Sequence, residues 1–469
     1  MSSECLRWRL PTALALSAAA LSGCSSESAP APAPGPEANA GGPTFSSDVA
    51  PILQKRCIGC HSEGSIAPFS LTTYADAKAV SAQIVAQTTA RKMPPYSSFS
   101  TDECQPRNGF REDLHLSSAE IQTLSAWDAA GAKEGEPGAA LSPPPRLDTL
   151  SDSDVELAPQ KPFVVSGEGD KFRCFVLDPK LSQATYVNGQ HFIAGNPAIV
   201  HHVLAFVDPN RESAAKMDAD GGYECFGGPG VNNPTLLGGW APGMGPVEYG
   251  PDIGALLPQN ALIVMQVHYH STGVTSASDT TKLALRFNKD KPKYQLDFML
   301  AGNAPRQFSP TDGLLPGPND QGGIDFRIPA NTAGHIERMR FTIPSVPVPV
   351  HVYGAAHHMH YLGTDMKTTI EHVDPTRSEP KEECILQTPQ WDFTWQRFYF
   401  YDAPIEKLPE IRAGDSINLR CTYDNTAANP FLKRALAEQH LSSPVDVRLG
   451  ESTLDEMCLV ALPLIHLSL

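Results

Sequence analysis

Histidine in this chain gathers in short strand-like patches, and that pattern limits what the chain can fold into. The patches are Ile199-Val200-His201-His202-Val203, Met265-Gln266-Val267-His268-Tyr269-His270, His351 and His357-His358-Met359-His360, and together they hold eight of the fifteen histidines. A fifth patch, Asp455-Glu456-Met457-Cys458, adds a thioether. Residues i and i+2 of a strand share a face. His358 and His360 can therefore hold one ion, and either His268 or His270 can join another. His201 and His202 point to opposite faces of a regular strand, so a common ion for both needs a bulge, a twist or a strand end. Any one patch reads equally well as a structural histidine pair; all of them in one exported β-protein do not. Imidazole and thioether suit copper, and thioether in particular suits Cu(I).

At 469 residues two or three domains are expected, and 41% hydrophobic residues are enough for packed cores. A net charge of −16 argues against nucleic-acid binding, which needs a basic footprint. It fits a surface that meets a small substrate or a basic redox partner. Arg7 and Arg9 precede a short apolar stretch, Pro11 to Leu21, too short to remain as a membrane span. It ends in Leu21-Ser22-Gly23-Cys24, which resembles a bacterial lipobox. Residues 1–23 then read as a signal peptide and Cys24 as the lipidated first residue. Ser25 after it implies the periplasmic face of the outer membrane. Export permits disulfides.

Residues 24–43, rich in Ala, Pro, Gly and Ser, read as a flexible linker. Residues 44–134 read as a small all-α domain. Ser117-Ser118-Ala119-Glu120 forms a capping box before Ile121, Leu124 and Trp127. Residues 135–160 read as a second linker. The remainder reads as two tandem all-β sandwiches, 161–290 and 291–469, because short alternating runs recur between Gly, Pro, Asn and Asp.

Cys57-Ile58-Gly59-Cys60-His61 is the signature of covalently attached c-type haem. Its thiols would form thioethers to the porphyrin, and His61 would ligate the iron. Met93, in Arg91-Lys92-Met93-Pro94-Pro95, is the candidate for the opposite ligand, which would raise the haem potential. Beyond this pair, Cys24 and Cys5, six cysteines remain: Cys104, Cys174, Cys225, Cys384, Cys421 and Cys458. Spacing leaves their pairing open.

Val200-His201-His202, Gln266-Val267-His268-Tyr269, His358-Met359-His360-Tyr361-Leu362-Gly363 and Asp455-Glu456-Met457-Cys458 resemble the copper motifs of the type II ascorbate-dependent monooxygenases, the family of the peptidylglycine α-hydroxylating and dopamine β-monooxygenases. The order agrees, and the similarity spans about Lys171 to Ile465. Arg91–Pro95 and Trp391-Asp392-Phe393-Thr394-Trp395-Gln396 resemble bacterial members fused to a cytochrome c.

The resemblance implies two jelly-roll-like sandwiches with a copper in each. His201, His202 and His268 would bind an electron-transfer copper. His358, His360 and Met457 would bind the copper where O2 and substrate meet. His351 would orient groups near that copper, with His357 and His270 as neighbours rather than ligands. The resemblance also implies disulfides Cys174–Cys225 and Cys421–Cys458, and leaves Cys104 and Cys384 without a partner.

Where the peptide-amidating members hold a carboxylate with Arg, Asn and Tyr, this chain has Ala356, Leu459 and Ala461. A small, weakly polar substrate is therefore expected rather than a peptide carboxylate, which needs paired donors. The expected activity is hydroxylation of a C–H bond with O2. Electrons would come from ascorbate or a redox protein, relayed by the haem unit on its Pro-rich linker. No nucleophile or acid–base dyad stands out. The alternative is an envelope electron-transfer or copper-binding protein that hydroxylates nothing.

Overall fold

The alternating runs form antiparallel strands, as a period of two dictates. Gly169–Leu177, Val200–Asp208 and Leu262–Ser271 are the inner strands of a five-stranded sheet, flanked by Gly222–Glu224 and Thr235–Trp240. Ile263, Met265, Val267 and Tyr269 project from Leu262–Ser271 into the main core. The alternate residues Leu262 and Val264 pack instead with Cys174, Val176 and Tyr223 on the other face. His268 belongs to that second face.

The computed structural model describes residues 42–468 apart from 64–66, 143–148, 168, 226, 241–243, 272–275, 347, 375–378, 451 and 453. The expected signal peptide and Cys24 lie outside the described residues. Among the described residues no helix is long and apolar enough to cross a membrane.

The second half has a six-stranded sheet built on Thr332–Thr342, Ser416–Asn425, Gly363–Glu371 and Glu382–Thr388. The expected division near residue 290 falls between the strands Lys282–Phe287 and Tyr294–Gly302. The two halves nevertheless share a sheet. Tyr294 and Gln295 pair in parallel with Ile253 and Gly254 of the first half. An eleven-stranded sheet thus runs from Val155–Leu157 through Thr185–Ile193 and Ile253–Leu257 to Tyr294–Gly302, Leu459–Leu467 and Val350–Val352.

The N-terminal region carries helices on either side of a non-helical stretch, Ala90 to Ser117, rather than the expected all-α domain throughout. Ala50–Arg56, Tyr74–Ala79, Ser81–Thr89 and Ser118–Ala129 enclose Phe45, Val49, Leu53, Ile58, Leu124 and Trp127. The Ser117–Glu120 capping box forms: Glu120 N donates to Ser117 Oγ at 3.1 Å and Ser117 N to Glu120 Oε2 at 2.7 Å.

The expected linker 135–160 is not free chain in its described parts. Leu141 N donates to Thr72 O at 2.7 Å, and Leu141 packs on the helical core. Val155–Leu157 is already an edge strand, so the first sandwich begins before residue 161.

A strap from Tyr96 to Leu116 lies against the second sandwich. Cys104 and Cys384, left unpaired by the resemblance, form a disulfide. Thr101 Oγ1 donates to Gln387 Oε1 at 2.6 Å, and Asn108 Nδ2 donates to Lys407 O at 3.0 Å. Phe110 stacks on Tyr401 with ring centroids 5.1 Å apart. Arg107 Nη2 reaches Glu383 Oε1 at 2.7 Å, and the other oxygen of Glu383 meets His372 at 3.1 Å. The helical region is therefore docked, and tethering on a loose linker does not describe it.

Glu383 is 3% exposed and Arg107 32%. Arg107→Ala leaves a buried carboxylate short of a partner and should destabilise the chain by about 1–3 kcal/mol. A urea midpoint equal to that of the parent would show that His372 alone satisfies Glu383.

Candidate metal centre

His202 and His268 are register partners on adjacent strands. The pairing then shifts, so that Tyr269 faces Val200 and His201 is the extra residue of a bulge. The bulge brings His201 to the side of its neighbour. His201 Nδ1 lies 3.1 Å from His202 Nδ1, and His268 Nδ1 lies 3.3 Å from the same atom. Donor atoms of all three residues fall within 4.8 Å of one another. His268 Nε2–H donates to Asp170 Oδ1 at 2.9 Å, which fixes the tautomer and leaves Nδ1 as a lone pair. Burial, then the charges of neighbouring imidazoles, hold His202 well below the usual histidine range, so it stays neutral and able to ligate. Three nitrogens converging this closely fit a soft or borderline cation.

The second set is built differently. His358 ends the strand Gly354–His358 opposite Leu459. Its Nδ1–H donates to Gln396 Oε1 at 2.5 Å. His360 Nδ1–H donates to Asp455 O at 2.9 Å. Nε2 of each ring is left as the atom for a ligand, whereas the first set offers Nδ1. Burial is the leading cause that lowers both histidines, His360 to about 3. Met457 is 5% exposed and precedes the strand Leu459–Leu467. Neutral imidazoles and a thioether are a donor set suited to copper.

Glu456 locks this set. It is fully buried, and it accepts from His360 N at 2.8 Å, Leu362 N at 2.6 Å and Met457 N at 3.1 Å. One carboxyl group thus ties the histidine turn to the methionine turn. Burial pushes it up to about 8 against the pull of these donors. Met457 is held further by Tyr423 OH, which donates to Met457 O at 2.8 Å, and by the Cys421–Cys458 disulfide next to it. Gly302, at φ +129°, lets its strand approach: a Cβ there would stand 2.1 Å from Cys458 O.

Both sets line one cavity of about 840 Å³, with His202, His268, His358, His360 and Met457 in its wall. The rings of His202 and His358 are 6.3 Å apart across it. Phe393 stacks on His201 at 4.8 Å and stands 6.2 Å from His360, so it bridges the two walls.

The other expected residues sort plainly. Cys174–Cys225 and Cys421–Cys458 both form, as the resemblance implied. His357 is no ligand: it bonds Thr388 Oγ1 at 3.0 Å and Thr368 Oγ1 at 2.9 Å. His351 does not stand beside His358. It pairs opposite Ile465, whereas His358 pairs opposite Leu459. Six extended residues put about 20 Å between them. The side chain of His270 lies outside the described residues.

In the helical region Cys60 N and His61 N both donate to Cys57 O, at 3.1 and 3.0 Å, which draws the motif into one turn. Neither cysteine is in a disulfide. His61 Nδ1–H donates to Phe69 O at 3.2 Å and leaves Nε2 for a ligand. Met93 is 37% exposed.

Asp170, Phe393, Gln396 and Glu456 were not singled out in sequence. Asp170 carries no local signal, because it meets His268 across a strand pair. Glu456 and Gln396 lie inside stretches that the resemblance had marked.

Residues 327–462 match the family model of the copper type II ascorbate-dependent monooxygenase C-terminal domain. That span holds His358, His360 and Met457 and leaves the first histidine set outside. No curated protein matches the chain. Among solved structures, the major capsid protein P2 from bacteriophage PM2 is 8% identical, covering 67% of this chain and 98% of that one at a TM-score of 0.24. Xanthan lyase from Paenibacillus is 11% identical, covering 73% of this chain and 29% of that one at 0.17. Likenesses this slight carry no argument.

Two outcomes follow from the buried groups. Above pH 8, where Glu456 is ionised, Glu456→Gln places an amide N–H against backbone donors, so it should cost about 1–3 kcal/mol in the metal-free chain. An unchanged urea midpoint would remove Glu456 as the lock. His357 and His360 are lowered from 6.5 to about 3. Between those values the unfolded chain binds protons that the folded chain refuses. This stability is complete above pH 6.5 and is lost as pH falls toward about 3. Urea midpoints of the metal-free chain should fall across that window, and His357→Asn should flatten the fall.

Proposed function

We propose that this chain is a copper-dependent monooxygenase that hydroxylates a C–H bond of a small, weakly polar substrate in the cleft between its two ligand sets. The observation that carries the proposal is the shared cavity, with His202 and His358 6.3 Å apart across it. The match of residues 327–462 to the monooxygenase C-terminal domain supports it. His201, His202 and His268 would hold one copper, and His358, His360 and Met457 the other. Copper supplies one-electron redox chemistry and O2 binding, so that one oxygen atom enters the C–H bond and the other leaves as water with two electrons and two protons.

The protein's part is orientation and exclusion of water. Asp170 turns His268, Gln396 turns His358, and the Asp455 carbonyl turns His360. Such partners typically change metal affinity or activity by about 10–100-fold. Substrate binding falls to an apolar shelf. Ala356 pairs with Ala461, Ala461 with Leu300, and His358 with Leu459. These residues, with Phe298 and Phe398, line the cavity. Two alanines leave a trough between bulkier walls. None of the residues at the family's carboxylate-binding places can hold a charge.

Haem attached at Cys57 and Cys60, ligated by His61 and Met93, is the proposed electron donor within the chain, with ascorbate or a redox protein upstream. The lipobox at Cys24 makes the chain an exported lipoprotein of the outer membrane in this reading.

With 18O2, reductant and copper, an apolar substrate should yield product carrying one labelled atom. Reductant-driven copper turnover with no labelled product from a broad apolar screen would leave the electron-transfer alternative. Met457→Ala should abolish product while the His201, His202 and His268 set still takes copper; undiminished turnover would return Met457 to the core. Ala461→Phe fills the trough and should lower kcat/KM at least about 10-fold with copper content unchanged.

A further inference from the structure

The segment Trp391 to Tyr399 touches both walls of the cleft, yet it lies outside the sheets until Tyr399–Phe400. Phe393 reaches His201 and His360, and Gln396 accepts from His358. Gln396 Nε2 also donates to Phe393 O at 3.0 Å, so the two act as one turn. Something must hold this turn, because no ladder of backbone hydrogen bonds does so.

The holding groups come from the strap. The Arg397 guanidinium lies over the Tyr96 ring at 5.3 Å and the Tyr399 ring at 5.8 Å. Its Nη2 is 3.5 Å from Glu112 Oε2. Tyr96 meets Tyr399 edge-on at 5.2 Å. Burial pushes the Tyr399 phenol up to about 12, against the pull of Arg397 and of Ser97 and Ser98 beside it. Tyr96 is 4% exposed, and its buried hydroxyl has no hydrogen-bond partner among the described residues. A phenol that bonds nothing contributes through its ring, which is the face that Arg397 covers.

We infer that the strap is a positioning device for the cleft: Tyr96 and Glu112 hold Arg397, Arg397 holds the adjacent Gln396, and Gln396 keeps the His358 ring turned with Nε2 toward the cavity. The Cys104–Cys384 disulfide fastens the strap to the strand beside it. The N-terminal region then serves the second ligand set through side chains, whatever electrons it also delivers. The meaning of His358 as a ligand rests on the proposed function; the coupling itself does not.

The test reads His358 directly in the full-length, metal-free chain. Carbethoxylation by diethyl pyrocarbonate is followed histidine by histidine with peptide mass spectrometry. Tyr96→Ala, Arg397→Lys and Gln396→Leu should each speed modification of His358 several-fold and leave His202 and His268 at the parent rate, whereas His201, packed on Phe393 of the same turn, is not used as a control. Arg397→Lys keeps the charge and loses the planar stack, so it tests the coupling without emptying the site. Tyr96→Phe should match the parent. The double variant Tyr96→Ala with Gln396→Leu should be no faster than Gln396→Leu alone, because the two act in series.

With copper added, the coupling variants should shift one of two Cu(II) electron-paramagnetic-resonance signals, weaken that copper about tenfold and spare the other. An unchanged His358 rate in both Tyr96→Ala and Arg397→Lys overturns the inference. So does an equal rise at His202 and His268, or a Tyr96→Phe that behaves as Tyr96→Ala. If the parent takes up no copper at His358, the proposed activity fails, and the modification rates still decide the coupling.

Discussion

The register of one strand, Leu459–Leu467, sets the geometry of the cleft. It pairs with Tyr294–Gly302 on one edge and with Val350–Val352 and Gly354–His358 on the other. Met457 stands just before it, His358 opposite its first residue, and the apolar shelf across its next positions. A slip of one residue would turn every one of these side chains to the wrong face. Three features resist a slip: the Cys421–Cys458 disulfide, the Glu456 carboxyl bridging two turns, and Asn303, whose side-chain oxygen accepts from Cys458 N at 2.9 Å. Rigidity here is bought with a buried carboxyl group and a positive-φ glycine, both costly elsewhere in a β-protein.

The two walls prepare their histidines by opposite routes to the same state. In the first, a bulge and the Asp170 carboxylate gather Nδ1 atoms. In the second, Gln396 and a backbone carbonyl occupy Nδ1 and leave Nε2. Burial holds His202 in the first and His358 and His360 in the second below the usual histidine range, toward the neutral state that a metal requires. The walls meet because the two sandwiches share a sheet through the Tyr294–Ile253 pairing. Their separation is thus held by backbone hydrogen bonds, with Phe393 packed between as a spacer.

The strap changes how the N-terminal helices relate to this cleft. A loose tether would raise only the local concentration of whatever those helices carry. A disulfide, the Arg107–Glu383 pair and the stacking of Phe110 on Tyr401 instead give the helical region a defined seat on the second sandwich. A redox group on such a seat has a defined path length to the cleft, and a change at the seat is felt at His358.

Much of this was legible in the residues. Alternation predicted the strands, and the capping box predicted its helix. His358 and His360 come together with rings 5.3 Å apart, but past the end of the strand Gly354–His358 rather than along it; the need for a bulge, a twist or a strand end at His201-His202 followed from strand geometry alone. The resemblance put His351 near the second set, but the register sets it six extended residues, about 20 Å, from His358. Asp170, Gln396, Arg397 and the Cys104–Cys384 pair were not legible, since each meets its partner across strands or across the strap. The sequence by itself determined which donor atoms are present and the local period that presents them. Only the tertiary structure decided which atom of each ring is free, which walls face each other and what holds them there, because those depend on contacts between residues far apart in the chain.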